Sequence, residues 1–147
     1  MRIAKAEFEA EGIARRSDGP WASPLQLVPR KTAGWRPCRD NRALNARTIL
    51  DMYIVHHIED FAHHFYGCHV ISVLHLVKAY TQIPVHLDDI LETAIITPFG
   101  LFEFSFMSFG LRNAGQTFQC FIDVVVRGID FSFVYLDVIL VFSPKAD

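Results

Sequence analysis

Short apolar strands alternate with loops along most of this chain, and a helical period appears late. Leu25 to Val28 and Trp35 to Cys38 read as two strands flanking a basic turn, Pro29-Arg-Lys-Thr-Ala-Gly34. Val70 to Leu74 is apolar and strand-like. Thr93–Thr97 and Leu101–Phe106 predict a hairpin around Pro98-Phe-Gly100, in which Phe102, Phe104 and Phe106 alternate with Glu103 and Ser105. Asn113 suits the N-cap of a helix running to about Arg127, with Phe118, Ile122 and Val125 on one face and Gly128 as its stop. Further helices are predicted from Ile3 to Gly12 and around Ile58 to Tyr66. Ser17–Pro24 and the segment holding Asp88 and Asp89 read as loops. The last pattern is the most informative. Phe131 to Phe142 is nearly all apolar with one carboxylate, Asp137, and reads as two strands joined by a turn at Leu136-Asp137. An ionised Asp in such a run is expensive to bury, so a metal or a tight turn must justify it.

Strands and helices alternate without an internal repeat, low-complexity tract or linker, so the class is α+β or α/β in one domain. Half of the 147 residues are hydrophobic and thirteen are Phe, enough for a sizeable core. No apolar run approaches the roughly eighteen residues of a membrane span, and the N-terminus lacks a secretory pattern, so no membrane partner is expected. Cys38, Cys68 and Cys120 suit buried thiols in a reducing, intracellular setting, cytoplasmic or nuclear. Residues 1–50 carry ten Lys/Arg against five Asp/Glu, and residues 51–147 carry four against eleven. That split suits one lobe for phosphates and another for cations, or merely an uneven solvated surface. Seven histidines, including the doublets His56-His57 and His63-His64, invite a metal reading. Neighbouring side chains point apart, so each doublet offers one ligand at most, and ordinary surface histidines are the simpler account.

Several multi-residue motifs carry a family resemblance in order: SPWASPLQLVPRK, GWRPCRDNRALNART, TPFGLFEF, FGLRNAGQTFQ and FVYLDVILVF. Together they resemble the reverse transcriptases of Gypsy-type LTR-retrotransposon Pol polyproteins over roughly residues 5–143. Tyr135-Leu136-Asp137-Val138 resembles the family's YxDD box. The resemblance implies an α+β fold, the fingers and palm of a right-hand polymerase without the thumb, as a single fragment over 1–147. About 1–67 would be mainly fingers and about 68–147 mainly palm with interleaved fingers segments. It implies RNA-directed DNA polymerisation, a nucleotidyl transfer from dNTPs on an RNA/DNA primer-template, with Mg²⁺ as cofactor and other Pol segments as partners.

The resemblance also implies site residues and exposes departures. The family supplies three Asp to two Mg²⁺ ions about 4 Å apart. Here Asp137 is the surviving carboxylate, His75 stands at the end of the palm strand where the first Asp belongs, and Val138 stands at the second Asp of the box. Imidazole is a poor Mg²⁺ ligand, and a His75–Asp137 pair has too few ligands for a softer ion. Metal binding at Asp137 is therefore expected to be weak or nil, and catalysis lost. Arg36 matches the fingers arginine on the triphosphate, with Arg30 and Lys31 on the adjoining turn. Tyr80 matches the aromatic that closes the sugar pocket, and Phe109 and Gly110 match the nucleotide-pocket segment. Asp40 and Arg42 are expected to form a structural ion pair. Further departures are Ser108 for a family Pro, Arg39 and Asn41 in the PCxDxR segment, and Leu50, Ile54 and His56 where Pro is frequent. The resulting reading is a degenerate, catalytically inactive reverse transcriptase domain. The alternatives are a non-catalytic nucleic-acid-binding module, resting on six Lys/Arg between Arg30 and Arg47, and a relic without function.

Overall fold

The computed structural model describes residues 12–29, 35–57, 59 and 66–143, with the side chains of 35–37 excepted. The helices expected over 3–12 and 58–66 lie outside these residues, in whole or nearly so, as do Arg30, Lys31 and the Arg36 side chain. The chain forms two compact units: residues 1–49 with 80–112, and residues 50–79 with 113–147.

The first unit contains β1 (Ala14–Arg16), β2 (Ser23–Pro29), β3 (Trp35–Arg39), α1 (Arg42–Arg47), β5 (Ile95–Thr97) and β6 (Gly100–Phe104). Its five strands run in the order β1-β6-β5-β2-β3. The β2–β5 pair is parallel and the others antiparallel. Ile13, Ala14, Ile90, Ala94, Ile95, Phe102 and Met107 make the core. The predicted hairpin forms, turned by Thr97, whose Oγ1 accepts from Phe99 N–H (3.1 Å) and donates to the Gly100 carbonyl (2.9 Å). Thr93 leaves the strand for a short 3-10 helix, Leu87–Thr93, so Asp88 and Asp89 sit in its first turn rather than in a plain loop.

The period-two pattern expects Glu103 to face solvent, and here the structure differs. Glu103 is buried, because its cross-strand neighbour Arg15 covers it and donates from Nε to Oε1 (2.6 Å). Phe106 falls outside the strand, in an isolated bridge to Pro84. The Asp40–Arg42 pair forms with two contacts, Nε to Oδ1 (2.8 Å) and Nη2 to Oδ2 (2.6 Å). The Arg42 hydrogen bonds hold the Asp40 carboxyl below its ordinary range.

The second unit contains β4 (Val70–His75), α2 (Ala114–Val125), β7 (Ser132–Tyr135) and β8 (Val138–Ser143). Its sheet runs β4-β8-β7, all antiparallel. The C-terminal strand is thus central, and β4 and β7 are the edges. Phe118, Ile122, Phe133 and Val134 are buried, as the helical stripe requires, whereas Val125 is exposed because the helix ends there. Asn113 holds the N-cap position without a side-chain cap bond. Its Oδ1 instead accepts from the backbone N–H of Asp51 (3.0 Å), tying the extended segment 50–57 to the start of α2. Gly128, at φ +86°, allows the turn after the helix.

No cysteine is fully buried: Cys38 and Cys68 are half-buried and Cys120 is exposed, contrary to the expectation of buried thiols. No helix among the described residues is long and apolar enough to cross a membrane.

Candidate active site

The β7–β8 hairpin brings the site positions together. Tyr135 pairs with Val138, leaving Leu136 and Asp137 as a two-residue turn. Two-residue hairpin turns need positive φ at their first central residue, and Leu136 takes φ +51°. A leucine there is strained by about 1–2 kcal/mol, so the surroundings must impose it. On the other side of β8, His75 pairs with Val138, and Leu76 N–H donates to the Asp137 carbonyl (2.8 Å). Directly paired antiparallel residues have Cα atoms roughly 4.5–5.5 Å apart. Positions 75, 137 and 138 therefore share one small region at the end of β4 and the tip of the hairpin. His75 and Asp137 are exposed and Val138 is half-buried.

The side chains at these positions are one imidazole, one carboxylate and one isopropyl group. Mg²⁺ requires oxygen ligands in octahedral geometry, and two such ions need several anionic oxygens between them. This donor set does not fit a two-Mg²⁺ centre. Among the described residues, no group of three or more His, Cys, Asp and Glu is arranged to hold a metal ion.

Sequence reasoning missed the residue that holds the hairpin. Gln119 is wholly buried in α2. Its Oε1 accepts from Leu136 N–H (2.9 Å), and its Nε2 donates to the Val134 carbonyl (3.2 Å) and to Asp123 Oδ1 (2.8 Å). The other Asp123 oxygen accepts from the Tyr53 hydroxyl (2.7 Å) and lies 3.6 Å from His56 Nε2. The hydrogen bond to Asp123 pushes the Tyr53 phenol up to about 12. The available signal was a single polar residue in the otherwise apolar run from Phe118 to Ile122.

The other candidates lie in the first unit. Arg36 is in β3 opposite Val28. Tyr80 is half-buried in a 3-10 turn, Ala79–Gln82. Phe109 is 63% exposed and Gly110 takes φ +88°. Asn45 of α1 secures this loop: its Nδ2 donates to the Gly110 carbonyl (2.9 Å) and its Oδ1 accepts from Arg112 N–H (2.9 Å). Two departures of the PCxDxR segment bury polar atoms nearby. Asn41 is 4% exposed, and neither its Oδ1 nor its Nδ2 has a hydrogen-bond partner. The Arg39 guanidinium stacks 4.0 Å from the Phe104 ring centroid with Nη1 unpartnered, and burial pulls it down to about 10.

The family model for reverse transcriptase (RNA-dependent DNA polymerase) matches residues 28–147. The chain is 34% identical over 146 residues to the retrovirus-related Pol polyprotein from transposon 297 of Drosophila melanogaster, covering 95% of this chain and 14% of that protein. It is 32% identical over 143 residues to the gypsy Pol polyprotein of the same organism (92% and 14%). Against the transposon Tf2-7 polyprotein of Schizosaccharomyces pombe it is 32% identical over 136 residues (91% and 10%). The chain thus spans a small fraction of these relatives. Among solved structures, the prototype foamy virus protease-reverse transcriptase superposes with TM-score 0.83 at 18% identity, covering 99% of this chain and 20% of that one. The foamy viral enzyme in complex with an RNA/DNA hybrid gives 0.81 at 19% identity (96% and 19%). The fold is accordingly the fingers and palm of a reverse transcriptase, and the chain belongs to the reverse transcriptase family as a domain of the retrotransposon Pol polyprotein type.

Proposed function

We propose that this chain is a reverse transcriptase domain that has lost nucleotidyl transfer while keeping the scaffold for it. The observation that carries this reading is the strand register. His75 faces Val138 beside Asp137, so one carboxylate remains where the two-metal mechanism uses three. If each lost carboxylate removes several kcal/mol of transition-state stabilisation, two losses slow the reaction by more than about 10⁴-fold. The first unit is read as fingers and the second as palm. In the fingers, Arg36, Arg30, Lys31, Tyr80, Phe109 and Gly110 are the remnants of a dNTP site. RNA/DNA primer-template is the partner class, supported by foamy viral relatives in complex with RNA/DNA hybrid and with double-stranded DNA.

Primer extension on a primed RNA template, with Mg²⁺ and then Mn²⁺, tests the reading. The unmodified chain, His75→Asp, Val138→Asp and the double variant are compared. Extension by the double variant alone is expected. Robust extension by the unmodified chain or by either single variant would refute the three-carboxylate argument. Silence from every variant, with salt-sensitive RNA binding retained, would favour a non-catalytic binding module.

A further inference from the structure

We propose that Gln119 is a positioning residue whose buried carboxamide replaces a neighbouring strand along the outer edge of β7 and so fixes the Leu136–Asp137 turn. Along a strand, the carbonyl of one residue and the N–H of the residue two further on point to the same side. An adjacent strand would meet this pair with one N–H and one C=O. Gln119 supplies both from one side chain, Nε2 to the Val134 carbonyl and Oε1 to Leu136 N–H. It therefore closes the sheet edge at the point where the ladder ends.

The same contact accounts for the strained turn. The Leu136 amide is held by a fully buried acceptor, and losing that acceptor leaves a part-buried donor unpaired at a residue already in the left-handed region. Gly115, one turn earlier on α2, lies beside the Leu136 side chain: a Cβ there would sit in ordinary contact, 3.7 Å from Leu136 Cδ2. Gln119 is aimed in turn by Asp123, four residues on along the same helix face. Asp123 is itself fixed by Tyr53 from segment 50–57. The chain of contacts Tyr53–Asp123–Gln119–Leu136 thus ends on the residue before Asp137, and none of its members is one of the replaced metal positions.

Amide hydrogen exchange on the unmodified chain and on Gln119→Met and Gln119→Glu tests this. Met keeps the length and removes both polar functions, whereas Glu keeps an acceptor for Leu136. The Met variant is expected to exchange its Leu136 amide at least about tenfold faster, with β8 amides paired to β4 changing little. The Glu variant is expected to retain most of the Leu136 protection at a pH where its buried carboxyl is protonated, since an ionised one would face Asp123 Oδ1 and the Val134 carbonyl without a donor. Unchanged Leu136 protection in the Met variant, or equal loss of protection across all of β4, β7 and β8, would overturn the proposal. In a His75→Asp/Val138→Asp background, Gln119→Met should lower kcat with little change in KM for dNTP. That arm rests on the functional reading above. A double variant that never extends would refute that reading, while the exchange experiment still decides the role of Gln119.

Discussion

Asn41 and Asn45 lie four residues apart, at the start and within α1, and should respond to the same substitution with opposite signs. Asn41 is buried with both amide atoms unpartnered, and it does not use its N-cap position to bond the helix. Burying an amide without compensation costs about 1–3 kcal/mol on mutational scales. Leucine has the same branching, with two methyls in place of the oxygen and nitrogen, and a backbone at φ −89° and ψ 9° places no demand on residue type. Asn41→Leu should therefore stabilise the first unit by about 1–2 kcal/mol once a small overpacking penalty is subtracted. Asn45→Leu removes two well-made hydrogen bonds, to the Gly110 carbonyl and from Arg112 N–H, and should destabilise by about 1–2 kcal/mol. Both tryptophans, Trp21 and Trp35, belong to the first unit, so intrinsic fluorescence in a urea titration reports on that unit. At a typical slope, the midpoints should move apart by about 1 M or more, upward for Asn41→Leu and downward for Asn45→Leu. A destabilised Asn41→Leu at unchanged slope would mean that the Asn41 amide is satisfied in solution and that the argument fails.

Arg39→Met should also stabilise the first unit. A base whose pKa falls on folding costs stability wherever it is charged in both states, here below about pH 10, and the cost relaxes only above that. The expected gain at neutral pH is about 1 kcal/mol or more, and a loss in the same titration would show that the Phe104 stacking outweighs burial. Gly110→Ala meets no clash, since its Cβ would sit 3.5 Å from Asn41 Nδ2, but φ +88° should cost about 1–2 kcal/mol; a neutral result would contradict the left-handed backbone. Tyr53 should titrate near 12 by ultraviolet absorbance and return toward 10 in Asp123→Asn. Because its pKa rises on folding, its stabilising contribution is complete below pH 10 and disappears as pH climbs through 12. An unshifted phenol in the parent chain would remove Tyr53 from the Asp123 network.

What the sequence made legible was local. The Leu136–Asp137 turn, the strand before His75 and the face of α2 follow from periods that neighbouring residues define, whereas positions 75 and 138 were singled out by the family resemblance. The register that pairs His75 with Val138 adds their proximity. Contacts made across elements were not legible. Asn113 reads as a cap, yet Asp51 N–H competes for its oxygen. Glu103 reads as outward, yet Arg15 on another strand covers it. Helix α1 is six residues long, too short to show a period, so the loop support from Asn45 was invisible. Gln119 was passed over because its partners lie on β7 and the following turn.

The interleaving of the two units has a consequence for synthesis. The chain passes from one unit to the other at residues 49/50, 79/80 and 112/113, and the parallel β2–β5 pairing joins segments on either side of the first excursion. A nascent chain that has reached residue 79 holds β1, β2, β3 and α1 but lacks β5, which separates β2 from β6 in the finished sheet. The first unit cannot close its sheet until residues 80–112 have followed the first excursion, and the second, begun at residue 50, must wait for the strands beyond residue 112. Strands β2 and β3 must wait, paired only with each other, until β5 and β6 emerge, and this long-range closure slows folding far more than it costs in stability. Cleavage after residue 79 would leave fragments that cannot complete either sheet, whereas cleavage after residue 49 keeps every strand of the second unit in one piece and cleavage after residue 112 keeps every strand of the first.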